Sequence, residues 1–429
     1  MIARTSDYVF VSIVVGMVVM LYINNHKPLI TPEYRVPFLP TTTDTELPTH
    51  WNLTFWSTDF HISPIADLKH ILSPLGVRFI DKSLSGHCHL THTCAKDLKV
   101  LSKDNAYFIG DHPERLAATV KEAYKNDREF AQVDAIVCFH PIATCRLYAP
   151  LNKSLIMISS TRYEHGQESA SQWQSFNRFI RATAADSRNL LGANSVYDQH
   201  YLRYFTGVTP VYLPSLCSYI TAQYHPVRAE VLMWSHRSPS TVIDAIYRAF
   251  DTHRTSNPKG LILKPVRSVY HHYKYGDLAS HPAIVHLPYQ ISYMSLFEHY
   301  WMCIPIFAPS LHFLVELDQQ HGLLSERTWG RVRGRGKQTR SPIPAASVST
   351  YPFDPNDEVS AEAMRYWVSM ADFYTMPFIQ YFDSWPHLFD QLATTNLTLV
   401  SANMKRYNIA TKQHLLSQWR SLLHRMFPK

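Results

Sequence analysis

One acidic side chain, Glu298, stands in a setting that suits it for binding hydroxyl groups. The surrounding segment, Tyr293–Phe307, reads YMSLFEHYWMCIPIF and predicts a helix followed by a short apolar strand, Ile304–Ala308. Glu298 lies seven residues before Pro305, which opens the strand. Ligands of α/β sheets bind at strand carboxyl ends, beside helix N-termini. A carboxylate in that place can accept hydrogen bonds from both hydroxyls of a ribose.

This segment resembles the donor-binding signature of GT-B glycosyltransferases. In that family a Glu that binds the nucleotide ribose precedes a helix of small residues and a Gly-x-Pro start of a strand. The chain departs from the pattern at two places. Gln290 stands where retaining members often carry a second Glu, and Cys303 replaces the Gly. The alternative for Glu298 is a partly exposed residue of an ordinary buried helix.

The resemblance also implies a cation beside the donor diphosphate. Arg237, in WSHRSP after a predicted strand, is the first candidate, and Lys264, at the end of the next strand, is the second. The alternative for each is a surface charge that caps a loop. Tyr289, in HLPYQ, is placed to stack on the nucleotide base, and Ser292 and Ser295 are placed to reach the phosphate or the sugar.

A catalytic base, if the reaction needs one, is expected from the first half of the chain. His140 in CFHP, and Glu164 and His165 in TRYEHGQ, each follow a predicted strand. Position at a strand end favours a role in ligand chemistry. The alternative is a structural hydrogen-bonding role, and an enzyme that retains configuration requires no such base.

Apolar runs that alternate with helical stretches predict the fold. At 429 residues the chain is too long for one core. Two successive strand–helix series, separated near Pro226, predict an α/β fold with two Rossmann-like domains facing a cleft, the GT-B architecture. The predicted organisation is a cytosolic tail (1–7), a signal-anchor transmembrane helix (8–23), a Pro/Thr-rich stem (24–50), an acceptor domain (51–225), a donor domain (226–395) and a C-terminal helix (396–429).

The N-terminus indicates a membrane anchor. Tyr8–Ile23 is sixteen residues without a charge, and no small residues mark a cleavage site, so an uncleaved anchor is favoured over a signal peptide. Three sequons, at Asn52, Asn152 and Asn396, fit N-glycosylation and predict a lumenal body. We expect a single-pass type II protein of the Golgi or ER membrane.

Six cysteines suit an oxidising compartment. Cys88 with Cys94, and Cys138 with Cys145, are close enough to pair. The alternative for the first pair is a zinc site built with His87, His89 and His92, although this spacing matches no standard zinc finger.

A basic run, Arg331–Arg340, reads RVRGRGKQTR. Its Gly residues and the Pro residues beyond it predict a loop. A lumenal protein does not meet nucleic acid, so an acidic glycan or a phospholipid head group is the better partner, and a solvated insertion is the alternative.

These patterns predict a glycosyltransferase that moves a sugar from a UDP- or GDP-linked donor to a glycan or glycoprotein. No cofactor and no metal are expected beyond this co-substrate, because the Asp-x-Asp metal motif of the other major glycosyltransferase fold is missing. A catalytically inactive GT-B relative that binds glycans in the lumen is the alternative. No Gly-x-Ser-x-Gly elbow supports a hydrolase.

Overall fold

The first half of the chain folds around a parallel sheet. The computed structural model describes Pro48, His50–Ser256 and Gly260–Pro428. Within these residues, six strands form a sheet of order β2-β1-β3-β4-β5-β6, in which every neighbouring pair is parallel. Its strands are β1 (Leu53–Ser57), β2 (Val77–Asp81), β3 (Ala135–Cys138), β4 (Ser154–Ser159), β5 (Leu190–Ala193) and β6 (Val211–Tyr212).

A second parallel sheet follows, with five strands in the order β11-β10-β9-β7-β8. The two parallel sheets that the GT-B resemblance implies are therefore present. Residues 47–429 form one compact unit, so the division into two domains at Pro226 stays a prediction. The strands are β7 (Glu230–Trp234), β8 (Ile262–Pro265), β9 (Ile284–His286), β10 (Ile306–Pro309) and β11 (Gln380–Phe382).

Helices connect the parallel strands. The longer ones are amphipathic, and their apolar faces pack on the sheets. In the described residues they are α1 (Ile62–Leu72), α2 (Pro113–Tyr124), α3 (Arg128–Ala131), α4 (Cys145–Tyr148), α5 (Ala170–Ala184), α6 (Val196–Thr206), α7 (Ser240–Ser256), α8 (Val266–Val269), α9 (Tyr275–Ala279), α10 (Met294–Trp301), α11 (Leu311–His321), α12 (Ala361–Val368), α13 (Asp372–Thr375), α14 (Trp385–Thr394) and α15 (Leu397–Met426).

Two sequence features explain most element boundaries. Central strands such as β3 are apolar throughout because both faces are covered, and all four of its residues are buried. Several helices begin at a serine whose hydroxyl accepts a hydrogen bond from a backbone N–H of the first turn. These caps are Ser169, Ser195, Ser310, Ser360 and Ser384.

One predicted helix is interrupted. The sequence predicts a single helix from Glu114 to Glu129, but α2 ends at Tyr124 and α3 begins at Arg128. Asp127 causes the break, because its side chain accepts a hydrogen bond from the Phe130 amide and so starts a new helix.

Each sheet has a point where the strand order reverses. In the first sheet this point lies between β1 and β3, and in the second between β7 and β9. Loops leaving adjacent strands diverge at such a point and open a crevice at their carboxyl ends. Asp59, after β1, spans the first of these points by accepting hydrogen bonds at 2.8 and 2.9 Å from the amides of Phe139 and His140, after β3.

The C-terminal helix α15 spans both halves. Its first part meets the second half, where the Asn408 amide donates to the Tyr300 carbonyl at 3.1 Å. Its last part packs into the core of the first sheet through Leu415, Trp419 and Leu423.

The two cysteine pairs that the sequence places close together form disulfides, Cys88–Cys94 and Cys138–Cys145. The zinc alternative is wrong in this structure, because both of its thiols are used in a disulfide. Cys217 and Cys303 are buried and free.

The predicted anchor, residues 8–23, and nearly all of the predicted stem lie outside the described residues. Among the helices that the structure describes, none combines the length and apolar character that a membrane crossing requires.

Candidate functional site

A cavity of about 680 Å³ lies between the carboxyl ends of the two sheets. Both strand-order reversals open into it, since its wall includes residues that follow β1, β3, β7 and β9. The first-half lining is His61, Pro64, Tyr107, Phe108, His140, Ser160, Thr161, His165, Gly166 and Glu168. The second-half lining is Arg237, Tyr289, Gln290, Tyr293, Met294, Glu326, Val332, Arg333 and Arg335.

A chain of hydrogen bonds fixes the two histidines that the sequence predicts. The Arg162 guanidinium can only donate, so His165 Nε2, at 3.2 Å, is the acceptor. His165 Nδ1 then carries the proton and donates to the Tyr107 hydroxyl at 3.1 Å. Tyr107 in turn donates to His140 Nε2 at 3.4 Å. Both ring nitrogens of His165 are thus occupied by protein partners.

The surroundings keep both histidines neutral. Burial lowers the pKa of His140 to about 3, and His61 and Arg162 act in the same direction. Burial also holds the pKa of His165 well below its ordinary value, with Arg162 and His140 contributing. His165 is therefore a neutral link that orients Tyr107, which in turn orients His140.

His61 is the cavity histidine that the sequence interpretation missed. It follows β1, precedes α1 and is exposed at the cavity, and within the described residues no hydrogen-bond partner of its ring is found. Asp59 Oδ1 accepts its backbone N–H at 2.9 Å. Although His61 is exposed to the cavity, loss of hydration among the surrounding side chains lowers its pKa to about 4, and His87 contributes. The signal was available, because His61 follows a predicted strand just as His140 does.

Asp59 holds both of these histidine-bearing loops by their backbone amides rather than by their rings. It is 2% exposed, and burial raises its pKa to about 7 against the lowering effect of its three amide hydrogen bonds. Asp59 is therefore a positioning group behind the cavity wall.

Arg237 reaches the cavity from the loop after β7. Its backbone is in the left-handed region, with φ of 57°, and its side chain is 57% exposed. It pairs with Glu326 and lies 5.9 Å from the ring centroid of Tyr289, which follows β9. The structure therefore brings Arg237 and Tyr289 together at the reversal point of the second sheet.

Gln290, beside Tyr289, presents an acceptor to this side of the cavity. Its Nε2 donates to the Tyr289 hydroxyl at 3.1 Å. Its Oε1 is buried without a protein hydrogen-bond partner in the described part of the chain. A buried acceptor of this kind is costly unless a ligand or a water molecule satisfies it.

Glu298 lies in the second turn of α10 and is not part of the cavity lining. Its Oε1 accepts hydrogen bonds from the hydroxyls of Ser63, Tyr219 and Tyr275 at 3.0, 3.0 and 3.2 Å. Burial raises its pKa, and these three hydrogen bonds oppose that shift. Ser63 belongs to α1, so Glu298 joins the two halves of the molecule.

The structure corrects the expectation that Glu164 faces the cleft. Its side chain is 1% exposed and forms an ion pair at 2.8 Å with Arg162. The carboxylate therefore compensates the guanidinium that orients His165.

Three other predicted donor residues lie away from the main cavity. Lys264 is exposed within β8, the edge strand beyond β7, rather than at the end of a strand. Ser292 is buried and lines a small adjoining cavity of about 10 Å³. Ser295, in the first turn of α10, is half-buried and lines neither cavity.

The basic run is partly built into the cavity wall. Arg331 is held by Asp318 at 2.5 Å, while Arg333 and Arg335 line the cavity. This run is therefore not only a solvated insertion. Among the described residues, no group of three or more His, Cys, Asp or Glu side chains has an arrangement that holds a metal ion.

Comparisons with known proteins give weak likenesses. No protein-family model matches the chain, and no curated protein matches it. The chain is similar to the glycosyltransferase SnogD from Streptomyces nogalater, with 10% identity, a TM-score of 0.43 and coverage of 87% of this chain and 100% of SnogD. It is also similar to the glycosyltransferase VinC in complex with DTDP, with 11% identity, a TM-score of 0.36 and coverage of 87% and 99%. TM-scores this low carry no argument about the fold. The description of the fold therefore rests on the topology of the two sheets in this chain.

Proposed function

We propose that this protein is a glycosyltransferase that binds a nucleotide sugar in the cavity between its two sheets. The reaction transfers the sugar to a glycan or glycoprotein of the secretory pathway. The proposal rests on one observation. Residues at the strand-order reversals of both sheets line the same cavity. Two substrates that must meet, each held by one half, suit such a cavity.

The donor belongs on the second-half wall in this proposal. Arg237 supplies a cation for the diphosphate, whose charge grows as the glycosidic bond breaks. Tyr289 offers an aromatic face for the base, and the free Oε1 of Gln290 accepts a hydrogen bond from a donor hydroxyl or amide. Cationic stabilisation of this kind needs no bound metal. Glu298 lies outside the cavity lining, so the ribose role that the resemblance implies requires the donor to extend beyond the cavity to Oε2, since Oε1 already accepts three hydroxyls.

The acceptor belongs on the first-half wall, where His61 is the base that we favour for an inverting reaction. A base must be neutral and able to reach its proton. The His61 ring is neutral and has no hydrogen-bond partner among the described residues, while His140 Nε2 accepts from Tyr107 and both His165 nitrogens are occupied. His140 is the second candidate.

A glycan-binding protein without catalytic activity is the second candidate function. Gln290 in place of the second carboxylate of retaining relatives favours it. Such a protein would bind glycans in the same cavity and would not turn over a donor.

A thermal-shift screen of the full chain against UDP-, GDP- and CMP-sugars tests the proposal. A nucleotide that binds the folded state at 100 times its Kd adds about 2.7 kcal/mol to the free energy of unfolding. One nucleotide class should raise Tm, and a chelator should leave that response unchanged. A flat response to all three classes, with a response to glycans, would favour the binding protein.

Arg237→Ala separates the active-site role from general effects of charge. We expect kcat for donor turnover to fall by roughly 10²-fold, with a smaller change in donor affinity. The matched control is Arg248→Ala, an exposed arginine of α7 that does not line the cavity. Equal activity of the two variants would remove Arg237 from the site.

A further inference from the structure

Two arginines of one tight turn, Arg333 and Arg335, stack on the same indole. Their guanidinium carbons lie 4.1 and 4.3 Å from the ring centroid of Trp329. Both side chains line the cavity, while Trp329 is 3% exposed. An indole face attracts each cation, so the ring orients the two guanidinium groups.

The backbone is built to hold this arrangement. The 3₁₀ turn Arg331–Arg333 ends at Gly334, whose φ of 62° lies in the left-handed region that favours glycine. The Arg335 amide then donates to the Gly330 carbonyl at 3.1 Å. Behind the turn, Arg331 is fixed by Asp318. The two cavity-facing arginines are therefore held by the fold.

Within the part of the chain that the structure describes, neither Arg333 nor Arg335 forms an ion pair with a carboxylate. Arg333 donates only to backbone carbonyls, those of Trp329 at 3.0 Å and of Gln167. Burial lowers the pKa of Arg333, the carboxylate of Glu164 opposes that shift, and the like charges of Arg162 and Arg335 add to it.

The nearby acids do not remove this excess of positive charge. Glu164 is committed to Arg162 at 2.8 Å, and Glu326 is committed to Arg237. Glu168 lines the cavity but is exposed, and no ion pair involves it among the described residues. Two adjacent cations without a carboxylate ion-pair partner among the described residues favour the binding of an anion.

Although both arginines come from the second half of the chain, Arg333 reaches the acceptor side of the cavity, and Arg335 stacks on the same indole. The carbonyl that receives the Arg333 hydrogen bond is that of Gln167, in the loop that follows β4 of the first sheet. The proposed donor cation, Arg237, follows β7 of the second sheet and already has its own carboxylate partner. The cavity thus holds two cations in addition to Arg237.

We propose that Arg333 and Arg335 bind an anionic group on the acceptor, so that the protein acts on an acidic glycan. This proposal rests on the proposed function, because it assigns the second substrate of the same cavity. Carboxylate, phosphate and sulfate groups share the chemistry that a guanidinium pair recognises.

Ligand-observed NMR titrations of the full chain test the proposal. The probes are glucuronic acid, glucose 6-phosphate and glucose 6-sulfate, with glucose as the neutral match, each with and without the nucleotide that gives the largest thermal shift. We expect at least one acidic sugar to bind at least tenfold more tightly than glucose. The acid that binds best identifies the source of the charge.

Arg335→Gln is the main variant, because Arg335 is exposed and its substitution leaves the backbone of the turn intact. Binding of the acidic sugar should fall at least tenfold, and Arg333→Gln should act in the same direction. The matched control is Arg340→Gln, an exposed arginine of the same run outside the cavity lining, which should leave binding unchanged.

The outcomes separate this proposal from the proposed function. Nucleotide binding without any preference for acidic sugars would overturn the acceptor assignment and leave the transferase standing. Binding of acidic sugars that depends on Arg335, without any nucleotide binding, would support the anion site and contradict the transferase. A loss of nucleotide affinity in Arg335→Gln, with acidic-sugar binding unchanged, would place these arginines in the donor site and overturn the proposal.

Discussion

At the residue scale, the chemistry of the site depends on which hydrogen-bonding atoms the fold leaves without a protein partner. His165 has no free ring nitrogen, and Glu298 has one oxygen occupied by three hydroxyls. Glu164 pairs with Arg162 through Oε1, while its Oε2 is buried without a hydrogen-bond partner among the described residues. His61 and the Oε1 of Gln290 remain available. Sequence reasoning placed several of these side chains near strand ends, but it had no means of knowing which hydrogen-bonding capacity the fold would use.

His61→Ala tests the base directly. General-base catalysis contributes about 10²- to 10⁴-fold, so kcat should fall within that range while the KM for the donor changes little. His272→Ala, an exposed histidine outside the cavity, is the control and should retain wild-type kcat. Wild-type kcat in His61→Ala would exclude His61 as the base and leave His140 as the candidate.

The pH profile gives a second test of His61. Its lowered pKa, about 4, means that the imidazole is neutral and able to accept a proton at every pH above that value. Asp59, with a pKa of about 7, titrates within this range, so the profile is measured in Asp59→Asn as well as in the wild type. In that variant kcat/KM should stay level from about pH 8 to about pH 5 and fall only as the pH passes through about 4. A loss of activity in that variant centred near the ordinary histidine pKa of about 6.5 would contradict this assignment.

Glu298 combines a structural and a proposed donor role, and two substitutions separate them. Glu298→Ala leaves three hydroxyls without their acceptor, so the free energy of unfolding should fall by about 1–3 kcal/mol. Glu298→Gln keeps an acceptor oxygen and should lose less stability, but donor affinity should fall about tenfold or more. Urea unfolding and donor titration measure the two effects.

The raised pKa of Glu298 also predicts how the difference in stability between the wild type and Glu298→Gln depends on pH. The pKa of Glu298 is raised in the folded state, so its favourable contribution is full below the ordinary Glu pKa and is lost as the pH rises through the raised value. Between the ordinary and the raised pKa, the free energy of unfolding of the wild type should therefore decrease relative to that of Glu298→Gln. Glu362→Gln, at an exposed position, is the control. Unchanged donor affinity in Glu298→Gln would end the ribose proposal.

At the element scale, hydrophobic pattern was a good guide and short elements were not. The run SLIMIS at residues 154–159 predicts a strand with the bounds that β4 has, because a buried parallel strand is a continuous apolar run. The strand Gln380–Phe382 was missed, since three residues carry no periodicity and this edge strand is defined by its pairing with β10. Asp127 split a predicted helix through a cap that hydrophobic pattern does not reveal.

The C-terminal helix should contribute strongly to stability. Trp419 is 1% exposed in the core beside the first sheet. Replacing a buried Trp with Ala costs about 3–5 kcal/mol, and the urea midpoint of Trp419→Ala should fall accordingly. Ile409→Ala, on the same helix at 51% exposure, should change the midpoint little. Similar midpoints for the two variants would show that the end of this helix does not hold the first half.

At the scale of the whole molecule, the sequence predicted two sheets but not the cavity that they share. His61, His140, Arg237 and Tyr289 are brought together by strand order, which depends on pairings between distant segments. The basic run is the clearest example, because its composition alone favoured a solvated loop. Only the fold shows that Arg333 reaches a carbonyl of the first half.

Glycosylation tests the proposed lumenal placement of this body. Asn52, Asn152 and Asn396 are all exposed in the structure, so an oligosaccharide can be attached to each without unfolding. Expression in secretory cells followed by glycosidase digestion should lower the mass. Asn→Gln variants at the three sites, combined, are the control and should show no shift. An unchanged mass for the wild type, with the body accessible to cytosolic protease, would reverse the proposed orientation.

The central claim is that a nucleotide sugar binds between the two sheets, with its diphosphate at Arg237. A crystal structure of the protein with the nucleotide that gives the largest thermal shift tests this claim most directly. We predict density in the cavity, with phosphate oxygens within hydrogen-bond distance of the Arg237 guanidinium and the base against Tyr289. A nucleotide bound elsewhere on the molecule, or an empty cavity under saturating nucleotide, would contradict the account.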